Sequence, residues 1–271
     1  MDKGASEYYQ FPDNHQHELR NFMRFLLFGL LGIVLLLGSV IWFADRLLTQ
    51  IPFSLEKRFV TPYITLFKQH RELTPEQLQV EESLQTLVAE LGSAMQLEEG
   101  MDITVYLLPA AEQNAFATLG GHIFVFEGLV EAMPDENSLS MVLAHELAHI
   151  KQRDPIVSIS RGALVQIFYG FVTGDAGGVF STGSEIGMLF FSREQETEAD
   201  LIAVETLQRN YGHVAGATTF FERLAQSQPE EDSFHMEWLS THPDLLKRID
   251  QIEAYIKERG FKREAVRRLD L

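Results

Sequence analysis

Residues 138–152 read SLSMVLAHELAHIKQ, an apolar helical pattern with two histidines and a glutamate set into it. Leu139, Val142, Leu143, Leu147 and Ile150 recur three and four residues apart, with no Gly or Pro before Pro155, which predicts a helix packed into a core. Side chains four apart share a helical face, so His145 and His149 point the same way and can grip one ion. Glu146 projects beside them, placed to take a proton from a water that the ion activates. With 9 His and 27 Glu in 271 residues, chance supplies only about 0.03 such patterns. The flanking Val142, Leu143, Ala144, Leu147, Ala148 and Ile150 are too apolar for a solvent helix. Two imidazoles and a carboxylate buried there without partners are costly, and a metal offsets that cost.

A catalytic metal of this kind takes a third protein ligand and keeps one position open. The candidate donors lie in residues 192–200, SREQETEAD, on a helix predicted to continue through Leu201, Ile202 and Val204. Glu196 and Asp200 are four apart and share a face, so one can ligate while the other accepts the outer N–H of a ligating histidine. Spacing alone does not separate Glu196 from Glu194 or Glu198, and a carboxylate-rich helix face is otherwise an ordinary solvated one.

Taken together, HELAH, a preceding Asn114-Ala115-Phe116 segment, a following SREQETEAD and a final Ser240-Thr241-His242-Pro243 resemble metallopeptidase family 48. This is the gluzincin group of the HtpX, BepA, Oma-type and CAAX prenyl proteases. The similarity runs from Leu78 to Ile252, with four segments in the family's order. It implies an α+β, mainly helical, zincin-like domain with a small sheet, and a single Zn²⁺ on His145, His149 and Glu196. Asp200 then supports a ligating histidine from behind. Where relatives often carry a histidine shortly after the metal helix, this chain has Asp154, a position expected to carry no catalytic weight. The resemblance also implies that Asn114, Ala115, Phe116 and Ala117 line a substrate groove, an edge strand pairing backbone to backbone with an extended polypeptide. From composition alone the segment is only a strand before a Gly120-Gly121 turn. His242 is expected to be catalytic, stabilising an oxyanion, although in some relatives it fills the open metal position, and it could simply cap a helix. The helix after Pro243 has its expected core face on Leu245, Leu246, Ile249 and Ile252.

Upstream, Thr74, Pro75 and Gln77 spell a capped helix start, and Leu84, Leu87, Val88 and Leu91 a buried stripe that Gly92 or Gly100 would end. Two β segments follow: one over 103–108, then 114–118 and 122–126 about the Gly120-Gly121 turn, as a hairpin or a kinked strand pair. Phe25–Ala44 is an uncharged run of 20 residues which, as a helix, spans about 30 Å, the thickness of a bilayer core. It is too long for a signal-peptide core and no small-residue cleavage site follows, so it reads as an uncleaved anchor. The expected organisation is a polar tail (1–24), a transmembrane helix (25–44), a connector containing Pro52 and Pro62 (45–73) and a metallopeptidase domain (74–271). Arg20 and Arg24 before the span and Arg46, Lys57 and Arg58 after it do not fix its orientation. Residues 156–191 contain no further run long enough to cross.

The chain carries 22 Lys+Arg against 39 Asp+Glu, a net charge of −17, which repels phosphate backbones and argues against a nucleic-acid partner. It has no cysteine, excluding thiolate metal sites, disulfides and cysteine nucleophiles. At 45 % hydrophobic and 23 % charged residues it has ordinary globular usage, so disordered and fibrous classes fall away. Anchor and resemblance together imply an endopeptidase acting in membrane or envelope protein quality control. A bacterial inner-membrane location with a periplasmic body is the expected placement. The competing expectation is a membrane-tethered chaperone or assembly factor with a latent, four-ligand zinc site.

Overall fold

Thirty-five residues at the N-terminus form one helix, α1 (Asn14–Leu48), in which His17–Leu48 is long and apolar enough to cross a membrane. The computed structural model describes residues 14–160, 191–226, 242 and 244–270. Residues up to Arg46 group as one unit and those from Leu47 onward as a second. The expectation that 156–191 holds no second crossing, and the expectations for Ser240, Thr241 and Pro243, fall largely or wholly outside the described residues.

The second unit begins with a departure from the sequence reading. Within the stretch expected to be a connector laid against the body, residues Phe53–His70 form a helix, α2, with Pro62 inside it. Pro62 removes one N–H bond, to the Arg58 carbonyl, on the exposed side of the helix. Glu56, Val60 and Ile64 lock the opposite face into the protein and hold the helix together across that gap.

Next comes α3 (Pro75–Met95). Its capping box forms as expected, with Thr74 accepting from Gln77 N–H and Gln77 Oε1 accepting from Thr74 N–H. The helix runs through Gly92 and ends where Gln96 turns left-handed (φ 58°), so neither Gly92 nor Gly100 terminates it. Strands β1 (Thr104–Leu108), β2 (Ala115–Thr118) and β3 (His122–Phe126) form a sheet of order β1-β3-β2. β1 runs parallel to β3 and β2 antiparallel to it. Gly120 (φ +74°) and Gly121 (φ +80°) make the hairpin turn, and a Cβ on Gly121 would sit 2.7 Å from the Asp102 carbonyl oxygen.

A short helix, α4 (Glu127–Ala132), precedes α5 (Glu136–Gln152), which Asp135 caps by accepting from Ser138 N–H. Residues 154–160 are again helical. α6 (Arg193–Tyr211) opens on a second capping box, Ser192 with Gln195, and is followed by α7 (Thr219–Gln226) and α8 (Leu245–Arg259). α5 and α6 pack against each other and against α3, and the sheet lies over α5 through β2. One apolar cluster, from Leu84 and Leu91 through Ile123, Leu143, Leu147 and Val204 to Ile252, fills the space between them. On α8 the buried face is Leu245, Arg248, Ile252 and Ile256, whereas Leu246, expected in the core, is exposed.

Candidate metal centre

Every residue of α5 from Asn137 to Ile150 is buried, which puts the HELAH histidines at the middle of the protein rather than on its surface. The Nε2 atoms of His145 and His149 are 3.0 Å apart. From α6, Glu196 brings Oε2 to 3.5 Å from His145 Nε2 and Oε1 to 3.5 Å from His149 Nε2. A tetrahedral zinc with ligands at about 2.0–2.1 Å needs ligand atoms about 3.3 Å apart. The triangle of 3.0, 3.5 and 3.5 Å has that size. His242 joins it, with Nδ1 2.8 Å from Glu196 Oε1. Among the described residues, His145, His149, Glu196 and His242 form a buried group able to hold a metal ion.

The outer nitrogens fix the rings. His145 Nδ1 lies 3.0 Å from Asp200 Oδ1 and His149 Nδ1 lies 2.8 Å from Asp154 Oδ2. A carboxylate accepts, so both Nδ1 atoms donate and the neutral rings present Nε2 lone pairs toward each other. Two lone pairs 3.0 Å apart require a cation or a proton between them. Phe191 stacks on His149 (centroids 3.9 Å, 18°) and covers that ring.

Behind the triangle sits Arg248. Its Nε and Nη2 donate to Asp200 Oδ2 and Oδ1 at 2.8 and 2.7 Å, a bidentate pair. Its Nη1 is 2.7 Å from Glu196 Oε2, an ion pair outside hydrogen-bond angles. The guanidinium also faces the Phe221 ring at 4.8 Å. Glu146 is fixed by one oxygen only: Oε2 accepts the Ala117 N–H at 2.7 Å. Its Oε1, buried and without a hydrogen-bond partner among the described residues, lies 3.9 Å from His242 Nε2.

The charges of this interior do not balance. With the histidines counted as neutral, as ligands are, Glu146, Asp154, Glu196 and Asp200 are four buried carboxylates against one buried arginine, Arg248, among the described residues, leaving −3 (1 − 4). A divalent ion reduces that to −1, so the donor set fits a metal in charge as well as in spacing. Burial opposes the charged form of Glu196, yet His242, His145 and His149 outweigh it and hold the carboxyl well below its ordinary range. Burial likewise opposes protonation of His149, but Asp154 and Glu196 carry the ring up to about 9. His145 is raised too, with Asp200 and Glu196 outweighing burial, Arg248 and His149. The rings are poised to hold positive charge. His242 is the exception, since burial takes it below its usual value.

The residues singled out from sequence thus converge: His145, Glu146, His149, Glu196, Asp200 and His242 meet in one buried centre. The alternatives Glu194 and Glu198 are absent from it, both being exposed. Of the groove segment, Ala115 and Ala117 are buried and Phe116 stacks on Phe124 (centroids 5.0 Å). Sequence reasoning undervalued Asp154, which holds His149, and missed Arg248 altogether. Asp154 is itself held by Gln195, whose Nε2 donates at 2.5 Å to its Oδ1. A legible signal for Arg248 existed: an arginine three residues after Leu245 and four before Ile252 sits on the buried stripe of α8, where it needs carboxylates.

Comparison with known proteins agrees with this geometry. The profile of peptidase family M48 matches residues 76–256. The mitochondrial metalloendopeptidase OMA1 of Schizosaccharomyces pombe is 34 % identical over 155 residues, covering 56 % of this chain and 46 % of the relative. The beta-barrel assembly-enhancing protease of Escherichia coli is 32 % identical over 154 residues, covering 51 % and 31 %. Metalloprotease LoiP of E. coli is 27 % identical over 202 residues, covering 70 % and 76 %. The chain therefore spans under half the length of the OMA1 and assembly-enhancing relatives.

Proposed function

The chain belongs to peptidase family M48, and on that footing we propose that it is a membrane-anchored zinc metalloendopeptidase. The observation that carries the reading is the buried triangle of His145, His149 and Glu196, backed by Asp154, Asp200 and Arg248 around an interior short of positive charge. Zinc held there supplies a Lewis acid that polarises a peptide carbonyl and acidifies water.

The chain's own groups do the rest. Ala117 N–H fixes Glu146 Oε2 and so leaves Oε1 to accept a proton from the attacking water and pass it to the leaving amine. Asp154 and Asp200 keep the Nε2 lone pairs of His149 and His145 turned inward. Within a strand, a residue's N–H and C=O point to the same side, and Ala117 N–H points away from β3 to Glu146. Ala115, two residues earlier, faces the same way, so the free edge of β2 beside the metal helix suits an extended polypeptide added strand to strand. Asn114 Oδ1, buried without a hydrogen-bond partner among the described residues, is placed at the entrance of that edge.

Residues 25–44 serve as the transmembrane anchor, between a polar tail and the body. The names of two relatives, a mitochondrial metalloendopeptidase and a beta-barrel assembly-enhancing protease, support a role in membrane or envelope protein quality control. A bacterial inner membrane with the body on the periplasmic side is part of the same proposal. The test is metal analysis with casein proteolysis on the full chain. Glu146→Gln retains one zinc and loses cleavage, whereas His149→Ala loses both. Undiminished cleavage by Glu146→Gln overturns the mechanism.

One observation favours a second reading. His242 Nδ1 donates to Glu196, which leaves its neutral Nε2 as a lone pair suited to a metal rather than to an oxyanion. In that reading His242 is a fourth ligand, the centre is latent, and the chain acts as a tethered chaperone or assembly factor. His242→Ala then raises cleavage; in the catalytic reading it lowers it.

A further inference from the structure

The helix that the sequence disguised as a connector has two unlike faces. Inward, Glu56 accepts from Arg153 Nε at 3.0 Å and Nη2 at 2.5 Å and from Gly120 N–H at 3.3 Å. Arg153 Nη2 also donates to the Ile51 carbonyl at 2.7 Å. Arg153 is the left-handed C-cap of α5, immediately before Asp154, and Gly120 is the turn of the β2–β3 hairpin. One buried carboxylate thus joins α2 to the end of the metal helix and to the strand carrying the groove.

Outward, Leu55, Phe59, Tyr63 and Leu66 are spaced four, four and three apart, form one stripe and are 49–60 % exposed. Phe59 and Tyr63 rings lie 6.3 Å apart along it. Four large apolar side chains on one helical face mark an interaction surface. Two facts identify what covers it. First, only Thr49–Pro52 separate α2 from the end of the helix long enough to cross a membrane, a reach of about 17 Å at full extension. Second, Phe53–His70 carries Lys57, Arg58 and Lys68 against Glu56 alone, +2 (3 − 1), in a chain whose net charge is −17. A basic amphipathic helix next to a span has the character of a helix lying in the headgroup layer.

We propose that the stripe Leu55–Phe59–Tyr63–Leu66 of α2 docks into the bilayer surface and, through Glu56 and Arg153, sets the height and tilt of the metal centre above the membrane. This rests on the reading of residues 25–44 as an anchor. The lipid also explains why α2 tolerates Pro62 on its outer side, since the headgroup layer is wet enough to satisfy the Arg58 carbonyl.

The chain has no cysteine, so one introduced thiol gives one label. Full-length Ile33→Cys, Phe59→Cys and Glu90→Cys variants, carrying an environment-sensitive fluorophore, are reconstituted in phosphatidylcholine vesicles with a minority of phosphatidylglycerol. Nitroxide lipids labelled near the headgroup or near the chain end act as quenchers. The expected result is loss of most Phe59→Cys emission to the shallow quencher, loss of Ile33→Cys emission to the deep one, and no loss for Glu90→Cys. Quenching at Ile33→Cys with none at Phe59→Cys overturns the docking while leaving the anchor intact. No quenching at either overturns both. Disulfide-linked dimers through Phe59→Cys without lipid quenching assign the stripe to a second copy and overturn it as well. Equal quenching at Glu90→Cys removes the specificity and does the same. As a second readout, Leu55→Ser/Phe59→Ser keeps its zinc and its casein cleavage but loses preference for a membrane-tethered peptide over the same peptide in solution.

Discussion

Replacing Arg248 by methionine keeps most of the buried stem and deletes the guanidinium that pairs with Asp200 and Glu196. Asp200 loses two donors at 2.8 and 2.7 Å and Glu196 loses its ion pair, so the interior passes from −3 to −4. Removing one partner of a buried ion pair costs about 3–5 kcal/mol, because the remaining charge is stranded. For a body of this size each kcal/mol lowers Tm by about 2–4 °C, giving a fall of about 6–20 °C. The fall is larger in chelator-stripped protein than in zinc-loaded protein, where the dication already offsets part of the negative charge. Calorimetry of both forms reads this directly, and the double variant Arg248→Met/Asp200→Asn is less destabilised than the sum of its parts, since each removes the other's partner. Arg248→Lys does not rescue, because one ammonium cannot serve two carboxylates bidentately. A stripped Arg248→Met protein whose Tm moves by less than about 2 °C refutes the electrostatic reasoning.

Asp154→Asn takes the carboxylate from His149 Nδ1 and weakens zinc binding about 10–100-fold, read by competition with a chromophoric chelator. His122, held down to about 4 by burial and then by Lys68 and Lys57, stays neutral in the folded protein, whereas in the unfolded chain it protonates near 6.5. Unfolding therefore takes up a proton in that window, so stability falls as pH drops from about 6.5 to about 4, and His122→Phe flattens that limb of the Tm–pH curve. Gly128→Ala puts a Cβ 2.0 Å from the Ala111 carbonyl oxygen and forces the chains apart, at a cost of about 1–3 kcal/mol seen as a lower Tm.

What could be read from sequence was what repeats within a few residues. The pairing of His145 with His149 and of Glu196 with Asp200, the Thr74 capping box and the 122–126 strand all depend on spacings of two to four, and the structure has them. Contacts between distant segments left fainter traces. Arg248 meets Asp200 across 48 residues, and Asp154 matters only because Gln195 and His149 both reach it. Pro62 hid α2, since a proline in a polar-apolar mixture reads as a break until Val60 and Ile64 are seen buried. Gly92 misled in the opposite direction: packed against Leu97, it stays inside α3, and Gln96 makes the turn.

Zinc K-edge absorption on the metal-loaded full chain reads the ligand set itself. One zinc per chain is expected, with scattering from two or three imidazoles and a carboxylate oxygen at about 2.0–2.1 Å, and its loss in His149→Ala. A folded chain that takes up no metal, or binds it without imidazole scattering, has no zinc site on His145, His149 and Glu196.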